Sequence, residues 1–227
     1  MKLKISEIFP SLQGEGSTVG HPSLFWRLAM CNVRCAWCDT KKLNDSGVWY
    51  ENDEILQLWS DHRKWLDAGY QWVITGGEPL LQQAELLSLI EVVQSPRFRI
   101  EIETSGTIIP DPKLAGFVTQ WNVSPKLSNS GVQIEKRLNL DALRVFSAYC
   151  NSIFKFATMG TDYEMTEISQ LAIHANISPS DIYLMPLCST RQEQEARGPQ
   201  VAKKALTAGY NYSPRLHIYL WNQTTGV

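Results

Sequence analysis

No run in the chain approaches the roughly 20 consecutive apolar residues that cross a bilayer. Its opening, from Met1 to Phe9, has neither a long apolar stretch nor a small-residue cleavage site. These two absences lead us to expect a cytoplasmic protein with no membrane partner. Positive charge is not in excess: 21 Lys and Arg stand against 23 Asp and Glu, for a net charge of −2. A phosphate backbone is gripped by clustered basic residues, so no nucleic-acid partner is expected. Cysteine is scarce and odd in number, five in 227 residues, which does not fit the paired framework of a small secreted domain. Cys150 and Cys188 are expected to be buried small hydrophobes. With 44% hydrophobic residues and no internal repeat, the chain is expected to form a single domain, 1–227, around one core.

The cysteines that remain are concentrated in Cys31-Asn-Val-Arg-Cys35-Ala-Trp-Cys38-Asp-Thr40. Thiolates at CxxxCxxC spacing converge from one loop on a soft metal centre. A [4Fe–4S] cluster ordinarily takes four cysteines, so a compact set of three leaves one iron open to another ligand. The rival on these residues is a structural zinc knuckle in a non-enzymatic module, with His21, His62 or Cys150 as the fourth ligand.

In chain order, Lys2–Phe9 and Ser23–Met30 read as strands separated by the glycine-rich Ser11-Leu-Gln-Gly-Glu-Gly16. That stretch is a turn on its composition, and alternatively offers Gln13, Glu15 and bare backbone at Gly14 to a heterocycle. Arg27 lies among Phe25, Trp26 and Leu28, so it faces solvent or meets an anion. Asn52–Gly69 has helical spacing and a glycine stop. Gln71–Gly76 is a short apolar strand ending in Gly76-Gly-Glu-Pro79, with Pro79 opening a helix that runs through Gln94. Further strands are expected at 98–104, 118–124, 153–158, 182–186 and 215–220, and helices at 162–175 and about 192–208.

About seven strand–helix or strand–loop units point to an α/β fold, an abbreviated, partial parallel β/α barrel, because a full one needs about 250 residues and eight strands. In such barrels the reacting groups come from loops at the C-terminal ends of strands. The cysteine loop, Thr75–Pro79, Glu103–Gly106 and Ser124–Lys126 all fall there.

Together, Leu12–Gly16, Arg27, Cys31–Thr40, Thr75–Pro79, Glu103–Thr107 and Ser124–Lys126 resemble the signature of the 7-carboxy-7-deazaguanine synthases, a family of the radical S-adenosylmethionine (radical SAM) superfamily. The resemblance implies a lyase of queuosine-type 7-deazapurine biosynthesis. It would contract 6-carboxy-5,6,7,8-tetrahydropterin to 7-carboxy-7-deazaguanine and ammonia. A [4Fe–4S] cluster on Cys31, Cys35 and Cys38, reduced by an external one-electron donor such as flavodoxin or ferredoxin, would cleave S-adenosylmethionine to a radical, with no protein side chain as acid or base.

By the same resemblance Trp37, Cys38, Asp39, Gly77, Glu78, Ser124, Pro125 and Lys126 match positions around S-adenosylmethionine. Leu12, Gln13, Gly14, Glu15, Arg27 and Thr75 match positions around the pterin, and the strand-loop 1–22 would contribute to that site. Arg27 would then pair with the substrate carboxylate. Thr40 matches a magnesium position, and a homodimer is implied. His217 and the terminal carboxylate of Val227 are carried over from the C-terminal strand of relatives. Relatives often have glycine before the first cysteine, where this chain has Met30. A glycyl-radical activase shares the cysteine spacing but does not account for Leu12–Gly16 or Cys38-Asp-Thr40.

Overall fold

The computed structural model describes residues 1–93, 98–224 and 226. Strands β1 (Lys2–Leu12) and β2 (Pro22–Leu28) precede the cysteine loop, and α1 (Lys41–Ser46), β3 (Val48–Glu51) and α2 (Asn52–Asp67) follow it. Next come β4 (Gln71–Gly76), α3 (Gln83–Val93), β5 (Ile100–Thr104), α4 (Pro112–Ala115) and β6 (Gln120–Val123). The chain continues through α5 (Ile134–Arg137), α6 (Leu140–Ser147), β7 (Ser152–Thr158) and α7 (Asp162–Ala175). It closes with β8 (Ile182–Pro186), α8 (Arg191–Ala208), β9 (Asn211–Tyr212) and α9 (Leu216–Trp221).

Among the described residues these strands form one nine-stranded sheet in the order β3-β1-β2-β4-β5-β6-β7-β8-β9. From β2 onward every pairing is parallel, while β1 runs antiparallel to both β2 and β3. The sheet keeps two edges and does not close, as expected of a partial barrel. The helices start where local chemistry satisfies their free N–H groups. Glu51 with Glu54 and Thr161 with Glu164 form reciprocal capping boxes at α2 and α7. Gly69, at φ +92°, takes the chain out of α2.

Alternation along the strands separates two environments. Trp26, Trp72, Ile74, Ile102, Trp121 and Phe156 point to the helical layer and are buried in the core. Trp59 of α2 packs against Trp26 and Trp72 at ring-centre distances of 6.4 and 4.7 Å, and Phe146 of α6 meets Trp121 at 5.1 Å. The intervening residues, among them Arg27, Thr75, Glu103 and Lys155, line the concave side. One face is thus hydrocarbon and the other polar.

Three expectations need correction. Residues 215–220 alternate like a strand but form α9: β9 already occupies the place beside β8, so no edge is left for them to pair with. Pro79 opens a short 3-10 turn, Pro79–Gln82, ahead of α3, and the expected helix end at Gln94 lies outside the described residues. Cys188 is buried, but Cys150 is exposed because it sits in the turn between α6 and β7. No helix among the described residues is long and apolar enough to cross a membrane.

Candidate active site

The concave side encloses a cavity of about 530 Å³, within the usual range for a small-molecule site. Cys31, Cys35 and Cys38 all line it. Two glycines bring β4 against their loop. A Cβ on Gly77 would sit 2.0 Å from the Met30 carbonyl oxygen and 2.8 Å from Cys31 Cβ, and one on Gly76 would sit 2.0 Å from the Leu28 carbonyl oxygen. Gly77 and Glu78 donate their N–H groups to the carbonyls of Leu28 and Met30 at 3.2 and 2.9 Å. Met30 itself turns through a left-handed conformation, φ +72°.

Burial pushes the Cys31 thiol up to about 11 and raises Cys35 as well. Thiols so placed keep their protons until a cationic centre displaces them. The donor set suits iron–sulfur chemistry: three soft ligands on one wall of a cavity, with open space beyond them. Among the described residues, no three Cys, His, Asp or Glu side chains gather closely enough for a single ion.

Beside the thiols, the Trp37 indole donates to the Asn129 backbone and side-chain oxygens at 3.1 and 3.2 Å. Asn129 is itself held by Ala157 O and Glu164 at 3.0 and 2.7 Å. The Lys126 ammonium lies 5.7 Å from the Trp37 ring centre and donates to Ser124 Oγ at 2.9 Å. Arg137 supports this loop from behind, donating to Lys126 O at 2.6 Å and pairing with Glu167 at 2.8 Å. Ser124 and Lys126 reach the cavity, and Pro125 between them is buried. Thr40 occupies the N-terminal end of α1 without a side-chain cap, and its hydroxyl lies 3.7 Å from Cys38 Sγ.

Glu78 is fully buried, and its carboxylate accepts from Leu80 N, Thr104 Oγ1, Ser105 N and Ser105 Oγ at 2.5–3.1 Å. Backbone at Gly76 and Gly77, not the Glu78 carboxylate, therefore faces the cavity. Gln13 lines the cavity but is also engaged within the protein. Its amide donates to Glu101, its oxygen accepts from Glu15 N at 3.2 Å, and its own backbone pairs with Gly20 and His21.

The opposite wall is a chain of charges. Lys155 donates to Glu15 at 3.0 Å and to Glu103 at 2.8 Å, and Thr75 donates to the other Glu103 oxygen at 2.7 Å. Arg215 reaches Glu15 at 2.8 Å and Asp39 at 2.5 Å. Burial, the largest single influence, would raise Glu15 and Glu103, but Lys155 and Arg215 together hold Glu15 well below the usual carboxylate range, and Lys155 with the Thr75 hydroxyl lowers Glu103. Beneath them Glu101 has no cation in contact among the described residues. Its burial and its neighbour Glu103 push it up to about 7, and it accepts from Thr18 at 2.6 Å and Asn122 at 2.5 Å.

Arg27 stands nearby with Nε bound to Glu7 at 2.6 Å and its guanidinium 5.7 Å from the Phe9 ring centre. His217, on α9 and not on a strand, presses on Gly14 so closely that a Cβ there would lie 2.1 Å from its Nδ1. Burial, then Arg215, push the His217 imidazole down, favouring its neutral form. Leu12, Gly14 and Glu15 also line the cavity, whereas Val227 lies outside the described residues. Sequence reasoning missed Lys155, Glu101, Asn129 and Arg215. Lys155 carried the signal that exposed Arg27, a charge within an apolar strand.

A pattern described as the Radical SAM superfamily matches residues 28–124. The 7-carboxy-7-deazaguanine synthase of Pyrobaculum aerophilum is 33% identical, covering 99% of this chain and 97% of its own. That of Buchnera aphidicola is 35% identical over 97% and 99% of the two chains. Among solved structures, the crystal structure of QueE from Escherichia coli superposes with a TM-score of 0.70 at 26% identity, covering 96% of this chain and 95% of that one.

Proposed function

The chain belongs to the 7-carboxy-7-deazaguanine synthase family of radical SAM enzymes, and from that membership we infer that its cavity is where a reduced pterin meets S-adenosylmethionine. The reaction is the ring contraction of 6-carboxy-5,6,7,8-tetrahydropterin to 7-carboxy-7-deazaguanine and ammonia, a step of queuosine-type biosynthesis. The carrying observation is that three thiols and the Arg27–Glu15–Lys155 wall face one shared space. The readings as a zinc module or a glycyl-radical activase have no such support, since relatives named for the synthase match almost the whole chain.

Cys31, Cys35 and Cys38 would hold the cluster. When bound, cluster and S-adenosylmethionine supply one-electron cleavage and hydrogen abstraction, chemistry that belongs to the cofactor and not to side chains. The protein positions and excludes water. Backbone at Gly76 and Gly77 offers acceptors to an ammonium group, while Ser124, Lys126 and the Trp37 face lie beside it. Arg27 has its two Nη groups without a protein partner among the described residues, and these suit a bidentate carboxylate. Glu15, Glu103 and Lys155 present fixed charges to the polar edge of the heterocycle, with Thr75, Leu12 and Gly14 completing the wall.

Finer features extend the same reading. A magnesium ion at Thr40 would be held by one hydroxyl plus water and substrate oxygens, which suits an ion that keeps much of its hydration. We read 1–227 as one domain, with 1–22 contributing to the substrate wall, working in the cytoplasm as a homodimer with a flavodoxin- or ferredoxin-like donor. The test is anaerobic: protein reconstituted with iron and sulfide is given S-adenosylmethionine, reductant, Mg²⁺ and the carboxytetrahydropterin. Mass spectrometry should find 7-carboxy-7-deazaguanine. Deoxyadenosine without the deazaguanine would remove the pterin assignment.

A further inference from the structure

Arg215 touches both halves of the site. Its Nε donates to Glu15 at 2.8 Å, one Nη to Asp39 at 2.5 Å and the other to the Cys188 carbonyl at 2.5 Å. Glu15 belongs to the loop on the substrate side, and Asp39 follows the last cysteine. The side chain is 14% exposed, so little solvent competes for its donors. Burial would lower the guanidinium, but Glu15 and Asp39 outweigh it and push it up, so it stays charged.

The backbone around Arg215 grips the same loop. Ser213 Oγ accepts from Gly16 N at 2.8 Å, Leu216 N donates to the Gly14 carbonyl at 2.8 Å, and His217 lies on Gly14 where no side chain fits. Successive residues of the 12–16 loop are therefore clamped by 213–217. The Arg215 side chain carries the clamp on to the cysteine loop.

We propose that Arg215 is a positioning residue that fixes the substrate loop, through Glu15, and the cysteine loop, through Asp39, in one register, so that pterin and S-adenosylmethionine affinities depend on it together. This rests on the pterin reading of the cavity for its substrate half alone. A planar fork with separate donors can hold two carboxylates and a carbonyl at once, whereas an ammonium is a point charge. Arg215→Lys should therefore keep one contact and lose the other.

The experiment compares wild type, Arg215→Lys and Arg215→Met in three readouts. These are amide exchange at Gly14–Gly16 and Asp39 in the apoprotein, S-adenosylmethionine binding to the reconstituted protein without pterin, and KM against kcat for the pterin. For Arg215→Met we expect faster exchange in both loops, with cofactor affinity and pterin KM each worse by about tenfold, less than the roughly 30-fold or more of breaking a buried charged contact to a ligand directly, since Arg215 acts through the two loops. Arg215→Lys, which retains the charge if the Met variant folds poorly, should restore one of the two affinities and not the other. A lowered melting temperature with both affinities and both loops unchanged overturns the proposal, as does loss confined to one loop in Arg215→Met. If wild type binds S-adenosylmethionine but leaves the pterin untouched, the pterin reading falls, while exchange and cofactor binding still decide the tie.

Discussion

The Lys155 ammonium on β7 and the Glu103 carboxylate on β5 meet at 2.8 Å across the face of β6, in a site where Lys155 is 2% exposed. A charge so deep stands only because it is paired twice, by Glu103 and by Glu15 at 3.0 Å. Burial would strip its proton, but the two carboxylates outweigh burial and push the lysine up. The concave wall is held in shape by charge matching, where the opposite face of the same strands is held by packed rings.

Replacing Lys155 by Met should therefore strand the buried Glu103 carboxylate and leave Glu15 with Arg215 alone. We expect a loss of about 3–5 kcal/mol in unfolding free energy, the cost of breaking a buried pair from one side. Urea denaturation at neutral pH measures it, and a loss below about 1 kcal/mol would show that the carboxylates find other partners.

Glu101 gives the pH dependence. Its value in the fold is about 7 against an ordinary 4.5, so between those limits the native state holds a proton that the unfolded chain has released. Stability from this group is complete below about 4.5 and is lost as pH rises through about 7. Glu101→Gln mimics the protonated acid and should flatten that part of the profile. Denaturation midpoints of wild type and variant, taken from pH about 5 to about 8, should diverge in this window with a slope of at most about 1.4 kcal/mol per pH unit. Parallel profiles would mean that Glu101 is ionised throughout.

The strands and longer helices were legible because their signals are local: alternation, helical spacing and a glycine stop. Single charges in apolar strands likewise announced a polar inner face at Arg27, and the same rule reads Lys155 correctly. Their partners were not legible. Glu15 and Lys155 are 140 residues apart and Asp39 and Arg215 are 176 apart, distances that only sheet order closes. The segment Leu216–Trp221 misled for a related reason, since alternation marks a strand only where an edge is free to receive it.

Met30 offers a stabilising change. An L side chain at φ +72° pays about 1–2 kcal/mol that glycine does not, offset partly by the greater freedom of glycine in the unfolded chain. Met30→Gly should raise stability by about 0.5–1 kcal/mol, seen as a higher melting temperature of the apoprotein. A decrease would mean that the Met30 side chain contributes more packing than its backbone costs.

Gly77→Ala should act on the metal centre. The new Cβ would fall 2.0 Å from the Met30 carbonyl oxygen, and backbone cannot yield there without moving Cys31. Reconstituted variant should carry less iron and sulfide per chain, with the far end of the sheet unaffected in amide exchange. Full cluster content would show that the loop tolerates the displacement.

Arg27 separates the two halves of the reaction. Its Nε is taken by Glu7 at 2.6 Å, which orients the fork, and the side chain is 17% exposed at the cavity wall, where a carboxylate can displace little water to reach it. A bidentate guanidinium–carboxylate contact in such a place is a strong one, so Arg27→Ala should raise the pterin KM by about a hundredfold. The thiols and the Trp37–Asn129 tie lie on other elements, so S-adenosylmethionine cleavage by the reduced protein without pterin should persist. Glu7→Gln, which keeps an acceptor for Nε but removes its charge, should give a smaller rise in KM than Arg27→Ala. Unchanged pterin affinity in Arg27→Ala would place the substrate carboxylate elsewhere, and loss of cofactor cleavage as well would mean that Arg27 supports the whole cavity and not one ligand.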